Sequence, residues 1–214
     1  TILSEGRYFL TDDHQPARKA TVVYSGGDDV FIVGEWSDIV GFAVDLNESL
    51  KKYSQGTLTM SAGIGIYPEK YPVSAMARQT GELEDISKSF PGKNAVTLFS
   101  GENTYSWPVF IDKVLNEKYR LIKSFFDSAE CYGKAYLYNL LDLMKKRDNK
   151  LNIARYAYFL AKMQPNENAD VEQKRVYTEF SEKMYYWITH SEEECRQAIT
   201  AIYIYLYTIR EKEE

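Results

Sequence analysis

Two short apolar runs near the start of the chain meet at a pair of glycines. Residues 21–24 and 30–33 are all β-branched or aromatic, and this composition is typical of strands. Between the two runs the chain reads Ser-Gly-Gly-Asp-Asp, and Gly26 and Gly27 tolerate the positive φ that a tight turn requires. The pattern predicts a β-hairpin with Gly26 and Gly27 at its tip.

Apolar residues then recur at every third or fourth position, which is the period of a helix covered on one face. This spacing predicts helices over residues 38–53 and 73–90. Alternating apolar and polar residues predict strands over residues 57–67 and 95–99. The order of elements predicts an α+β fold of ferredoxin-like type, in which helices cover one face of a mostly antiparallel sheet.

One predicted strand carries only small residues on one of its faces: Ser61, Gly63 and Gly65. Small side chains in a strand allow close approach of another backbone, of a ligand or of a helix. The pattern by itself favours none of these partners over the others.

Strand patterns stop near residue 100, and the rest of the chain has helical periodicity. Helices are predicted from Trp107 onward, over residues 135–146 and 153–163, and from Asp170 onward. Ser191, which three glutamates follow, is typical of an N-cap with an acidic first turn.

The change of pattern predicts two domains. We expect residues 1–103 to form the α+β domain and residues 104–214 to form an all-α helical bundle. The second part is rich in tyrosine, as is the whole chain with its 18 Tyr and 10 Phe. These aromatic side chains either fill the core of the bundle or form an interface with a partner.

Composition and charge narrow the possible functions. A net charge of −5 argues against general nucleic-acid binding by the whole chain, and no apolar run is long enough to cross a membrane. The cysteines Cys131 and Cys195 match no metal-ligand spacing, and we expect reduced thiols in a cytoplasmic protein. The basic residues 145–147 and Lys150 are typical of a solvated helix end, with phosphate contact as the alternative.

The candidate chemistry lies in the predicted hairpin, where two carboxylates are adjacent. Asp28 and Asp29 repel each other when both are ionised, and a cation relieves this repulsion. Carboxylate oxygens suit Mg²⁺ or Mn²⁺, and bare glycine backbone lets a triphosphate come close. The residues therefore suggest metal-dependent nucleotidyl transfer. The alternative is a simple turn, since Gly and Asp are common turn residues.

Four segments together resemble a known family. The hairpin of residues 24–34, the strand of residues 59–65, the Lys-Tyr-Pro-Val loop of residues 70–73 and the closing segment of residues 92–99 look like the second Palm domain of the large, polymerase-like subunit of type III CRISPR–Cas effector complexes. The details are most similar to the type III-A (Csm) branch. An all-helical domain after the Palm also fits that subunit.

This resemblance implies an activity: metal-dependent conversion of ATP into cyclic oligoadenylate second messengers when the complex recognises target RNA. It further implies that Asp28 and Asp29 are the catalytic and metal-binding residues. The nucleotide-binding residues that it implies are Ser25, Gly26, Gly27 and Lys93, with Lys88 as a weaker candidate for binding the triphosphate. The implied cofactor is Mg²⁺ or Mn²⁺. The implied partners are ATP, the other type III-A subunits and, through the complex, CRISPR RNA and target RNA, with no membrane.

Parts of the family pattern have no counterpart in the 214 residues. The family Palm begins with a strand that bears a further metal-binding aspartate, whereas Asp12 and Asp13 lie in an apparent loop before Pro16. His14, in the same loop, could be a ligand but is more often solvated in such a place. The histidine–aspartate nuclease domain that cuts single-stranded DNA, the zinc-containing insertion and the first Palm domain are also missing. We therefore expect a C-terminal fragment that is inactive alone.

Two other functions stay open. A stand-alone nucleotide cyclase could use the same hairpin. A non-catalytic scaffold could instead retain the hairpin as a relic and use its tyrosine-rich helices to dock other effector subunits.

Overall fold

The computed structural model describes residues 2–12, 17–128 and 134–211, so Asp13, His14 and Cys131 lie outside the described residues. The chain forms two compact units, Thr1–Ile111 and Asp112–Glu214. The first unit combines strands and helices and the second is entirely helical, which confirms the predicted α+β class with an all-α second part.

The described residues of the first unit form five short strands and two helices. In chain order these are β1 (Ala20–Gly26), β2 (Asp29–Gly34), α1 (Trp36–Tyr53), β3 (Ala62–Ile64), α2 (Val73–Ser89), β4 (Ala95–Leu98) and β5 (Thr104–Ser106). The hairpin and both helices lie where the sequence predicts them. The last strand was not predicted, and its pairing with β4 carries the first unit past residue 103, where the sequence places the domain boundary.

The sheet differs from the single, mostly antiparallel sheet that the sequence predicts. β1 and β2 form a two-stranded antiparallel sheet of their own, and β3, β4 and β5 form a second sheet in that order. β3 runs parallel to β4 because α2 crosses over between them and returns the chain in the same direction. The strand predicted over residues 57–67 shrinks to β3, because its only partner in the described chain, β4, pairs with Ala62, Gly63 and Ile64 alone.

The small face of β3 is covered by a helix. A Cβ atom on Gly63 would overlap the backbone of α2 at Thr80 and Glu84. The missing side chain therefore lets the helix pack closely on the strand, which settles the question that the sequence leaves open at this position. A buried chain of hydroxyl groups joins the same elements: Ser87 on α2 bonds Thr97 on β4 at 2.6 Å, and Thr97 bonds Thr104 on β5 at 3.0 Å.

A buried ion pair ties the start of the chain to α1. The guanidinium of Arg18 contacts the carboxylate of Asp45, and the two residues are only 6% and 4% exposed. Asp45 also accepts hydrogen bonds from the backbone N–H groups of Arg7 and Tyr8 at 2.8 and 3.1 Å. Arg18 donates to the carbonyl oxygens of Tyr8 and Asp38 at 2.9 and 3.1 Å. The sequence gives no sign of this network, because residues 1–20 have little periodicity.

Where the structure describes it, the second unit consists of one long helical segment and four further helices. They are a π-helical segment (Val109–Tyr119) that continues into α3 (Arg120–Ser128), then α4 (Lys134–Lys145), α5 (Lys150–Ala161), α6 (Val171–His190) and α7 (Glu192–Glu211). The predicted cap is confirmed, since the Ser191 hydroxyl accepts a hydrogen bond from the backbone N–H of Glu194 at 3.1 Å. Asp170 caps α6 in the same way, through the N–H of Gln173 at 2.7 Å.

Aromatic side chains fill the core of the second unit. The rings of Phe125 and Phe180 stack with centroids 3.9 Å apart, and Tyr156 and Trp187 are fully buried. Other tyrosines from the same helices, among them Tyr158, Tyr185 and Tyr186, remain exposed. Packing therefore accounts for some of the aromatic residues and leaves a second group at the surface.

One cation is buried in this aromatic core. Lys118 is fully buried, and its Nζ lies 2.7 Å from a carboxylate oxygen of Glu194 and 3.0 Å from the amide oxygen of Gln197. The same Nζ lies 5.1 Å from the centre of the Trp187 ring. A buried charge needs such compensation, so Lys118 links the π-helical segment to α6 and α7.

No helix in the described part of the chain has both the length and the apolar composition needed to cross a membrane.

We expect Asp45→Asn to destabilise the first unit by about 3–5 kcal/mol, because it leaves the buried guanidinium of Arg18 without a counter-charge. Glu35→Gln serves as the matched control. It breaks the exposed Lys19–Glu35 pair, which spans 2.9 Å, and should cost less than about 1 kcal/mol. Urea unfolding of the whole chain measures the loss of stability in both variants, and hydrogen exchange in α1 reports whether the loss lies in the first unit. Equal effects would contradict the structural role of Arg18 and Asp45.

The second unit should lose stability at high pH through its buried tyrosines. Burial raises the pKa of Tyr156 and of Tyr205, and for Tyr205 the nearby Asp127 adds to the effect. The unfolded chain therefore releases these protons first, near the ordinary tyrosine pKa of about 10, and the free energy of unfolding falls above that pH.

Each of the two tyrosines contributes up to about 1.4 kcal/mol per pH unit to this decrease. Urea unfolding between pH 9 and pH 11 (about one unit on either side of the ordinary tyrosine pKa) measures the slope. Tyr156→Phe should reduce it, whereas Tyr53→Phe, at a site that is 87% exposed, should leave it unchanged. The same slope in both variants would contradict the prediction.

Candidate functional site

The hairpin turns one residue later than the sequence predicts. Gly26 pairs with Asp29 in the ladder, so the two-residue tip consists of Gly27 and Asp28. Gly27 has a φ of +63°, whereas the φ of Asp28 is not positive. Positive φ at the first tip residue alone is the pattern of a type II′ turn, whose twist suits antiparallel strands. Gly26 belongs to β1 because its backbone completes the last pair.

The two carboxylates occupy different positions on this turn. Asp28 lies at the tip and Asp29 is the first residue of β2, and both are exposed. No hydrogen bond or ion pair within the described chain uses either carboxylate. Among the described residues, no group of three or more His, Cys, Asp or Glu side chains could hold a metal ion. The hairpin thus offers two free carboxylates and no third protein ligand from this part of the chain.

Lys88, on the last turn of α2, lies within electrostatic reach of the hairpin. Its Nζ pairs with Glu84 at 2.9 Å, and the pKa of Lys88 is raised, first by that hydrogen bond and charge and to a smaller extent by the charge of Asp29. Of the two lysine candidates, Lys88 is therefore the one whose charge interacts with that of Asp29. The sequence did not indicate Glu84, although its spacing of four residues from Lys88 is typical of a helical ion pair.

Lys93 lies in the turn that precedes β4. Its φ is +54°, next to Gly92 at +85°, and its carbonyl oxygen accepts a hydrogen bond from the hydroxyl of Ser61. Its side chain is exposed, and no ion pair between described residues joins it to the hairpin. The structure thus fixes the backbone of Lys93 and leaves its ammonium group available.

Ser25 pairs with Val30 in the hairpin ladder, and its side chain is exposed one residue before Gly26. A register shift between Val22 and Tyr24 makes Val23 an extra residue in β1, as in a β-bulge. Val22, Val23, Tyr24 and Val30 are between 42% and 57% exposed. The hairpin therefore presents apolar side chains, and strand edges that pair with no other described strand, beside its acidic tip.

The donor set of the tip fits Mg²⁺ or Mn²⁺. Mg²⁺ usually keeps several waters and binds through one or two carboxylates together with substrate phosphates. Asp28 and Asp29 supply such carboxylates, and a Cβ atom on Gly27 would meet no other atom within 4 Å, so the backbone there is open to a ligand. The arrangement could hold a cation–triphosphate complex but does not enclose a cation by itself.

Comparisons with known proteins identify both units. Residues 5–97 match the family described as Cas10/Cmr2, second palm domain. Residues 123–211 match the family described as CRISPR RNA silencing complex Cmr2 subunit, second helical domain. Together the two matches span most of the chain and agree with the two compact units.

Curated relatives give the same result over nearly the whole chain. The chain is 43% identical over 202 residues to a protein of Mycobacterium tuberculosis named CRISPR system single-strand-specific deoxyribonuclease Cas10/Csm1 (subtype III-A). The matched region covers 94% of this chain and 24% of that protein. A protein of the same name from Streptococcus thermophilus is 37% identical over 195 residues, which are 90% of this chain and 25% of that protein. The chain thus spans about a quarter of the length of these relatives.

A solved structure supports the fold. The structure of an apo Csm1–Csm4 cassette superposes with a TM-score of 0.64 at 23% identity, over 96% of this chain and 29% of that chain.

We expect Gly27→Ala to destabilise the hairpin by about 1–2 kcal/mol, because a Cβ atom is unfavourable at its left-handed φ although the space around it is open. Gly81→Ala in α2 is the matched control. Its surroundings are equally open but its φ is ordinary, so it should be neutral or stabilise by up to about 1 kcal/mol. Hydrogen exchange of the β1 and β2 amides reports the first change. Unaltered exchange in Gly27→Ala would show that the tip does not need positive φ.

Proposed function

We propose that the chain, which belongs to the Cas10/Csm1 family of type III-A CRISPR effector subunits, uses its palm hairpin to transfer nucleotidyl groups from ATP. In this reaction the 3′-hydroxyl of one nucleotide attacks the α-phosphate of another ATP, pyrophosphate leaves, and cyclic oligoadenylates form when the effector complex recognises target RNA. One observation carries the proposal: a glycine tip in the palm unit presents two adjacent, unpaired carboxylates with a lysine in electrostatic reach. A simple structural turn would not need this combination.

Each residue of the hairpin has a proposed task. Asp28 and Asp29 would hold Mg²⁺ or Mn²⁺, which when bound supplies charge neutralisation for the triphosphate and for the attacking 3′-hydroxyl. The open backbone at Gly27, together with that of Gly26 beside it, would let phosphate oxygens approach main-chain N–H groups. Ser25, exposed one residue earlier, would donate a hydrogen bond to the nucleotide.

The two lysines would contact the triphosphate from different elements. Lys88, at the end of α2, interacts electrostatically with Asp29, and Lys93 has an exposed side chain on a fixed backbone before β4. Lysine acts on phosphate as a point charge, so a flexible side chain on a rigid element suits this task.

The proposed site is incomplete in the described chain. β2 and β3 both pack against α1, yet no hydrogen-bonded ladder joins the two sheets to which they belong. A further strand, supplied by polypeptide outside these residues and bearing another carboxylate, would complete the ligand set. We therefore propose that the chain alone binds Mg²⁺–ATP weakly and makes little or no cyclic product.

We further propose that the chain acts inside a type III-A effector complex. The similar solved structure contains Csm1 together with Csm4, and the curated relatives are Cas10/Csm1 proteins of subtype III-A. By this analogy the partners are other Csm subunits and, through them, CRISPR RNA and target RNA. The deoxyribonuclease activity in the relatives' names belongs to those whole proteins, and the palm hairpin has no proposed part in it.

The test places the Asp28→Ala and Asp29→Ala changes in a complete Cas10/Csm1 subunit assembled into its effector complex. Turnover of labelled ATP in the presence of target RNA should fall by more than about 100-fold, the upper end of what loss of a supporting group at a metal site costs. Glu82→Ala, which removes an exposed carboxylate on α2, is the control and should leave turnover unchanged.

Unchanged turnover in an intact complex carrying both aspartate changes would contradict the proposal. Loss of assembly in the same variants would instead favour the scaffold function. The isolated chain provides a further comparison, and robust cyclic product from it would show that the described residues already contain the full ligand set.

A further inference from the structure

The turn between α2 and β4 holds Lys93 in a backbone conformation that lysine rarely adopts. The φ of Lys93 is +54°, in the left-handed region, and that of Gly92 before it is +85°. Glycine adopts this conformation readily, whereas the Cβ atom of any other residue crowds the carbonyl oxygen that follows it. Such a backbone persists only where the surrounding structure holds it, so the contacts that hold Lys93 are informative.

Ser61 supplies one of these contacts. This residue stands directly before β3, and its hydroxyl donates a hydrogen bond to the carbonyl oxygen of Lys93. The backbone N–H of Lys93 donates to the carbonyl oxygen of Phe90 at 2.9 Å. Both backbone polar groups of Lys93 are thus engaged, while its side chain is exposed.

Trp107 fixes the two segments to which Ser61 and Lys93 belong. Its side chain is buried, and its indole N–H donates to the carbonyl oxygen of Met60 at 3.0 Å. Its backbone N–H donates to the carbonyl oxygen of Asn94 at 3.2 Å. These two acceptors adjoin Ser61 and Lys93 in the sequence. A buried, rigid residue therefore holds the segments side by side and keeps the Ser61 hydroxyl within reach of the turn.

The first residue of β3, Ala62, is bonded to the other end of the same connection. Its carbonyl oxygen accepts a hydrogen bond from the hydroxyl of Ser87 at 2.8 Å, and Ser87 is fully buried. Lys88 follows Ser87 in the chain. Residues 61 and 62 thus restrain the backbone next to both lysine candidates. Ser87 also belongs to the buried chain of hydroxyl groups, whereas Ser61 is half-buried and bonds the turn itself.

We propose that Ser61 is a positioning residue, which holds the left-handed turn so that the ammonium group of Lys93 is presented to the triphosphate of the nucleotide. This inference rests on the nucleotidyl transfer proposed above and adds a residue that does not itself touch the substrate. A purely structural turn would be served better by glycine or asparagine, which tolerate a left-handed φ. Among the described residues the ammonium group of Lys93 has no ion-pair or hydrogen-bond partner, so the lysine side chain adds nothing to the turn.

The first test compares Ser61→Ala with Ser61→Thr in a complete Cas10/Csm1 subunit assembled into its effector complex. Turnover of labelled ATP with target RNA is measured over a range of ATP concentrations. Ser61→Ala should raise KM for ATP by about 2- to 10-fold with kcat nearly unchanged, because losing one hydrogen bond loosens a group that binds substrate and transition state alike. Ser61→Thr keeps the hydroxyl and should retain the original KM.

Ser181→Ala is the matched control for the loss of a hydroxyl. Ser181 on α6 is also half-buried and donates to a carbonyl oxygen, that of Thr178 at 3.1 Å. This change should leave KM for ATP unaltered. A rise in KM equal to that of Ser61→Ala would contradict a specific role for Ser61.

A double variant separates positioning from a general loss of structure. Lys93→Ala should raise KM for ATP by about 10-fold or more, since it removes a charged contact with phosphate. Adding Ser61→Ala to Lys93→Ala should raise KM no further, because Ser61 acts only through this lysine. Additive losses would overturn the positioning role, since Ser61 would then support the site by another route.

An asparagine variant tests why lysine occupies the left-handed turn. Lys93→Asn suits the backbone but removes the ammonium group. It should raise KM as Lys93→Ala does, while the urea midpoint of the whole chain stays equal or rises. Gln55, with a φ of +53° after α1, is the matched control, and Gln55→Asn should leave KM unchanged. A lowered urea midpoint in Lys93→Asn would show that lysine serves the turn itself, against the proposal.

Failure of this inference is distinguishable from failure of the proposed function. Lost turnover in the Asp28→Ala and Asp29→Ala subunits, together with an unchanged KM in Ser61→Ala, would refute the role of Ser61 alone. Unchanged turnover in the aspartate variants would refute the nucleotidyl transfer and the role of Ser61 with it.

Discussion

The buried contact between Arg18 and Asp45 is the interaction on which the first unit depends. Arg18 stands two residues before β1, and Asp45 lies in the middle of α1. Their pairing fixes where the hairpin begins relative to the helix. The backbone N–H of Lys19 reinforces this anchor by donating to the carboxylate of Asp38 at 2.8 Å. The base of the hairpin is therefore held rigidly while its tip extends away from these contacts.

Aspartates of the first unit have two different roles, and the surroundings of each carboxylate decide which role it has. The carboxylate of Asp45 is buried and satisfied by a guanidinium and two backbone N–H groups, which compensate for the loss of water. Asp28 and Asp29 are exposed and have no protein partner in the described chain. The first arrangement stabilises the fold, whereas the second leaves charge available for a ligand. A metal-dependent function for the tip is consistent with this difference.

The second unit also contains a buried charge, but different groups compensate for it. Lys118 enters an aromatic core and is compensated by Glu194, Gln197 and the ring of Trp187. Because Glu194 and Gln197 belong to the first turns of α7, the same contacts fix that helix within the bundle. This placement leaves only one line of α7 at the surface. Burial of one cation thus helps to determine which face of α7 is covered.

The sequence by itself determined the elements whose signals are local. The hairpin, both helices of the first unit and the cap at Ser191 follow from periodicity, glycine and side-chain capping, which act within a few residues. The acidic pair and its resemblance to a palm domain were equally visible. The turn was predicted one residue early, because whether Gly26 pairs with Asp29 depends on the ladder and not on the glycines.

Only the tertiary structure decided the relations between distant residues. Arg18 and Asp45 are 27 positions apart and carry no shared pattern. The parallel pairing of β3 with β4, the approach of α2 to Gly63 and the electrostatic interaction of Lys88 with Asp29 depend on the path of the chain between elements. Local periodicity specifies which face of an element is buried, but the partner of that face is a property of the whole fold.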